Sequence, residues 1–157
     1  MLLGRGRISG ILYRDLFTSR RLLESGDFEN SIVASERFIE RANAKPRLRK
    51  VGLWKGGIYT RDAIAMATNN IGAAYLELGE LELAERALHE ALEMDPEYPL
   101  PHWNLAMVAH LLCYDMKTEE HLRIGRDLGF ANATSDHLIR RAASVLARIE
   151  GRREASE

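Results

Sequence analysis

Three groups of side chains in this 157-residue chain have types and spacings that could do chemistry. Lys45, Arg47, Arg49, Lys50 and Lys55, with Trp54 set among them, form a basic run with an aromatic. Such a run could hold phosphates and stack a base. Asn69, Asn70 and Asn104 carry amides that both donate and accept, so they could bond a peptide backbone whatever the ligand's sequence. The alternative is that each ties down a neighbouring helix or faces solvent. Trp103 and Met107 lie four residues apart, on one face if the segment is helical, and could form an apolar pocket that anchors a partner side chain. Ordinary core packing would use the same two residue types.

Catalytic constellations are missing from the chain. It has no Gly-x-Ser-x-Gly, no phosphate-binding Gly-Lys-Ser/Thr and no His-Glu-x-x-His, so no catalytic residues and no enzymatic activity are expected. His89, His102, His110, His121 and His137 are scattered rather than set at i and i+4, so neither a metal nor any other cofactor is expected. Cys113 is the one cysteine. It can make no internal disulfide and reads as a small buried apolar residue. Asn132-Ala133-Thr134 matches a glycosylation acceptor, but Thr134 reads better as a helix cap.

The elements that must position these groups follow from composition and pattern. An apolar share of 46% with 29% charged residues is that of a globular domain, and Leu, Ala, Glu and Arg favour helix. The length suits one domain, residues 1–157. No apolar run reaches the roughly 20 residues of a membrane span. Arg5 and Arg7 break the start of the chain, which shows no export signal, so a cytoplasmic location is expected. The net charge of −1 conceals a division. Residues 1–61 hold 13 basic and 6 acidic side chains and residues 62–157 hold 9 and 17, so the first part is +7 and the second −8. The acidic stretch Glu77 to Glu97, with eight carboxylates against Arg86, could pair with the basic run of its own molecule or of a second copy. Since the overall charge is not basic, this or simple solvation is preferred to nucleic acid.

Within Ala65 to Tyr98, Ile71, Gly72 and Tyr75 share a face of one helix that Gly79 ends, and Ala84, Leu88 and Ala91 line a second that Pro96 stops. Small residues at Gly72, Ala84 and Ala91 let two antiparallel helices approach closely. These landmarks resemble the tetratricopeptide repeat, with Thr68 where that family usually has Trp and Leu88 where it often has Phe. One family period of 34 residues carries Asn70 to Asn104, Ile71 to Leu105 and Gly72 to Ala106. The first helix of that copy is convincing and its second is degenerate. Gly26-Asp27-Phe28-Glu29 matches Gly79-Glu80-Leu81-Glu82 and marks an earlier copy, with helices near Ser9 to Ser25 and Phe28 to Asn43. The resemblance implies an all-α, right-handed α-solenoid of about three helical hairpins, at approximately 9–43, 61–98 and 99–131. Between the first two lies a basic insertion, 44–59, broken by Pro46, Gly52, Gly56 and Gly57. An amphipathic helix over 134–150, carrying Leu138, Ala142, Val145 and Ile149 and ending at Gly151, would cap the stack.

In this family the first helices of successive repeats line a concave groove. The resemblance therefore implies groove positions at Phe17 and Arg20, with Glu24 beside them, then at Asn69, Asn70, Ala73 and Glu77, and at Trp103, Asn104, Met107 and His110. The function it implies is that of a non-catalytic adaptor or scaffold, holding a peptide segment or helix of a partner protein. Some relatives grip a C-terminal carboxylate with Lys, Arg and Asn. Here Arg20 is the one evident basic contributor, which disfavours that mode. Two other readings stand beside the adaptor. The size and repeat number resemble small chaperones of type III secretion translocators, and the 45–55 loop could bind an anionic ligand or nucleic acid. A homo-oligomer is compatible with the charge division.

Overall fold

The computed structural model describes residues 13–50 and 59–155. Among them are seven α-helices: α1 (Arg14–Ser25), α2 (Phe28–Ala44), α3 (Ala63–Leu78), α4 (Leu81–Met94), α5 (Pro99–Leu111), α6 (Asp115–Asp127) and α7 (Ser135–Glu154). The described residues hold no strand, only an isolated antiparallel bridge between Lys50 and Asp62. The chain is an all-α helical-repeat solenoid. Consecutive helices pair as α1–α2, α3–α4 and α5–α6, and the first helices also touch in series, α1 against α3 and α3 against α5.

One turn geometry makes the hairpins. Gly26 and Gly79 end α1 and α3 with φ of 85° and 83°, a left-handed conformation that costs glycine nothing sterically. The next residue then bonds back across the helix end, Asp27 N–H to Leu22 O at 2.9 Å and Glu80 N–H to Tyr75 O at 2.9 Å, satisfying carbonyls the helix leaves open. Cys113 holds the same place after α5, with φ 60° and Tyr114 N–H bonded to Ala109 O at 2.8 Å. This corrects the expectation of a buried thiol, because Cys113 is exposed. It stands 34 residues beyond Gly79, at the turn position, where a side chain must point away from both helices.

Packing follows the small-residue pattern. On α4, Ala84, Ala87, Leu88 and Ala91 are buried, the i, i+3, i+4, i+7 stripe of an amphipathic helix. A Cβ built on Gly72 would lie 2.7 Å from Leu88 Cγ, so α3 and α4 meet at a distance that glycine alone permits without repacking. Two cores result. One joins Leu16, Phe38, Leu48 and Ile64; the other joins Leu76, Leu88, Met107, Leu122, Leu138 and Val145. Helix α3 contributes Ile64 to the first and Leu76 to the second. Leu48 belongs to a short 3-10 turn, Pro46–Leu48, so the basic insertion begins as packed structure rather than as a plain loop.

Helix α7 departs from the expectation in two respects. Gly151 does not stop it, and it continues to Glu154. A single glycine in a helix costs only about 1 kcal/mol. Its N-cap is Thr134, whose hydroxyl accepts from His137 N–H at 3.3 Å. Its course also exceeds that of a cap on the last hairpin. His137 stacks on Trp103 of α5, Arg141 and Arg148 both bond Glu77 of α3, Ile149 sits over Gly79, and Arg152 bonds Glu29 of α2 at 2.6 Å. One helix thus ties together all three hairpins. No helix among the described residues is long and apolar enough to cross a membrane.

Candidate functional site

The three first helices and α7 enclose a cavity of about 500 Å³. Each of the three first helices supplies residues at spacings of three and four, as one face of a 3.6-residue helix must: Leu16, Phe17, Arg20, Leu23 and Glu24 from α1, Met66, Asn69, Asn70, Ala73, Leu76 and Glu77 from α3, and Leu100, Trp103, Asn104 and Met107 from α5. Tyr13, Tyr59, Tyr98, Phe130 and Arg141 complete the wall. The structure therefore brings together Phe17, Arg20, Asn69, Asn70, Ala73, Glu77, Trp103, Asn104 and Met107. His110 stays outside this wall and half-buried. It shares the angular face of Met107 but lies three residues, about 4.5 Å, further along the axis, in the last turn of α5.

The asparagines do the structural job first. Asn104 Nδ2 donates to Asn69 Oδ1 at 3.0 Å, joining α5 to α3, and Asn70 Nδ2 donates to Ser19 Oγ at 3.2 Å, joining α3 to α1. Ser31 of α2 extends this seam by donating to Ser19 O at 2.8 Å. Asn70 and Asn104 are half-buried, and each makes one such bond among the described residues. A primary amide can make about four, so both still offer an acceptor and an N–H at the wall.

Aromatic and charged groups set the rest of the surface. Trp103 is held between His137, stacked at 4.8 Å between ring centroids, and Phe130 at 5.7 Å, whose ring in turn meets Tyr59 edge-on at 5.7 Å. It forms a rigid apolar wall and leaves 9% of its surface exposed. Met107 is buried. Burial pushes the Tyr98 phenol far above its ordinary range, with Arg20 opposing that shift, so Tyr98 stays neutral. Arg20 pairs with Glu24 at 3.0 Å on the exposed side. Glu77, expected at the groove, reaches the wall, but its carboxylate is engaged by Arg141 and Arg148.

Within the basic run, Arg49 is engaged by a carboxylate of the same chain. Arg49 Nε bonds Asp62 at 2.7 Å, and Asp62 also caps α3 by accepting from Ile64 N–H and Ala65 N–H. The Lys50 carbonyl accepts from Tyr13 Oη at 2.9 Å. Lys45 and Arg47 are exposed, while Lys55 and Trp54 lie outside the described residues. Among those described, none of the four bases pairs with a carboxylate of Glu77 to Glu97.

Sequence reasoning missed two features. Arg141 joins the wall through the path of α7, which no local pattern reveals. His102 and His121, on α5 and α6, meet with their Nδ1 atoms 3.1 Å apart, one ring donating to the other. Burial and then His121 push His102 down to about 4, and burial lowers His121, so the pair is neutral near pH 7. No group of three metal-ligating side chains forms among the described residues.

Comparison with known proteins places one repeat. The family model "Tetratricopeptide repeat" matches residues 65–98, which span α3 and α4. No curated protein matches the chain significantly. That match falls on a hairpin whose turn geometry recurs at Gly26 and Cys113, so residues 65–98 are similar to a tetratricopeptide repeat, a repeat that serves in general in protein–protein interaction.

Proposed function

We propose that the chain is a single binding domain that holds a peptide segment or short helix of a partner protein in the cavity between α1, α3, α5 and α7. The observation that carries this reading is the cavity itself. Its walls combine rigid aromatics, Trp103, Phe130 and Tyr98, with unfilled amide capacity at Asn70 and Asn104. A concave, largely apolar site with a few fixed polar groups is the usual form of a recognition pocket. The amides would bond the ligand backbone, and Phe17 with Trp103 would take an apolar side chain as anchor. Arg20, tied to Glu24 on the rim, would guide orientation more than affinity.

The test uses Ala73→Arg, which places a long side chain in the cavity and removes none of the amide, aromatic or ionic contacts described above, alongside Phe17→Ala. Displayed random peptides would be selected on the wild-type chain. A consensus carrying an apolar anchor, lost with Ala73→Arg and weakened by Phe17→Ala, supports the reading. Equal recovery by wild type and Ala73→Arg, with both folded by circular dichroism, refutes it.

A further inference from the structure

One face of α7 carries apolar side chains that no other helix among the described residues covers. Here Ile139 is 55% exposed and Leu146 is 45% exposed, and Ala143 between them is exposed as well. At 100° per residue these three fall within about 60° of one another, on the side of α7 away from Arg141 and Arg148. Asp136, Arg140, Glu150 and Arg153 flank them, all exposed and none in an ion pair among the described residues.

We propose that this stripe is the contact between two copies of the chain, packed α7 against α7 in antiparallel order. The charge order selects both the partner and the direction. With the twofold axis between Ser144 and Val145, Asp136 faces Arg153 of the second copy and Arg140 lies beside its Glu150, each pair occurring twice by symmetry. A parallel arrangement would instead set Arg140 against Arg140 and Glu150 against Glu150. Side-chain size agrees with the same register. Ala143 falls opposite Leu146 of the other copy, small against large, and Ile139 packs on the aliphatic stem of Glu150. Self-complementarity of one patch is what a twofold interface requires. A 20-residue helix is about 30 Å long, so a contact of this kind lies near the lower limit of area for a specific dimer. Association is therefore reversible and concentration-dependent.

Sedimentation velocity of the full chain, from about 10 µM to about 1 mM, reads this directly. The expected result is a shift from monomer to dimer across the range. Leu146→Glu, at an exposed site that leaves the fold intact, holds the chain monomeric. Arg140→Glu or Glu150→Arg alone weakens dimerisation by roughly tenfold, since each change turns two attractive contacts into repulsive ones. Arg140→Glu with Glu150→Arg restores it, which only antiparallel pairing in this register explains. A wild type that stays monomeric throughout, a dimer that survives Leu146→Glu, or a double variant no stronger than the single ones overturns the proposal. None of these substitutions touches the cavity, so peptide binding is read independently.

Discussion

The junction that most tests the account of α7 is Glu77. Its side chain is 6% exposed and bonds both Arg141 and Arg148, which are 39% and 35% exposed. Removing one partner of a fully buried ion pair costs about 3–5 kcal/mol, whereas an exposed pair is worth at most about 1 kcal/mol. Glu77→Gln keeps the shape, removes the buried charge and leaves two arginines that can each turn a flank to water. The loss should fall between those limits, at about 2–3 kcal/mol. For a domain of this size that lowers Tm by roughly 5–10 °C. Urea unfolding followed by circular dichroism gives the free energy. Hydrogen exchange locates it, because Glu77's partners stand 64 and 71 residues away and the change should appear first as faster exchange along α7. In the Glu77→Gln background Arg148→Met should cost less than in wild type, a coupling of about 1 kcal/mol or more. If Glu77→Gln changes stability by under about 0.5 kcal/mol, or α7 exchanges as before, the clamp is not what holds α7 to α3.

Two further outcomes follow from packing and titration. Gly72→Ala and Gly125→Ala should move stability in opposite directions. A Cβ at Gly72 meets Leu88 Cγ at 2.7 Å, while one at Gly125 meets its nearest neighbour, the Ala133 methyl, at 3.5 Å. The helix gain of up to about 1 kcal/mol therefore survives at Gly125, and at Gly72 it is outweighed by overpacking, for a net loss of about 1 kcal/mol; two changes of the same sign in chemical denaturation would contradict this. His102 sits at about 4 in the fold and near 6.5 when unfolded. As pH falls, the unfolded chain takes up that proton first, so stability declines between those two values and is fully present above them. With solvent screening on the open side of the pair, the decline attributable to His102 is roughly 1–2 kcal/mol. Unfolding free energies at several pH values should show a smaller slope for His102→Gln, and an unchanged slope would refute the assignment.

What the sequence made legible was whatever depends on period and local spacing. Gly26 and Gly79 end their helices as expected, and matching the copies residue for residue, by the 34-residue period and by the Gly26–Gly79 alignment, put nine of the expected groove positions on one wall. His110 escaped because helical spacing fixes angle but not depth: a residue can share a face and still lie beyond the end of a cavity. Cys113 was misread although its position was informative. Thirty-four residues after Gly79 is the turn, and turn geometry outranks the general tendency of cysteine to be buried.

What stayed hidden depends on contacts between distant parts of the chain. Nothing near Glu77 announces Arg141 and Arg148, and charge counting grouped Glu77 with an acidic stretch that could pair with the basic run, whereas its carboxylate is engaged by these two arginines. For Asp62 the hidden part was its pairing with Arg49, 13 residues back, which accompanies the Lys50–Asp62 bridge; its cap of α3 is local. The same logic explains the asparagines. Each amide has more bonding capacity than one neighbour can use, so tying helices together and facing a ligand are compatible roles. The helix-to-helix bond fixes the amide, and a fixed amide would lose less entropy on bonding a partner backbone.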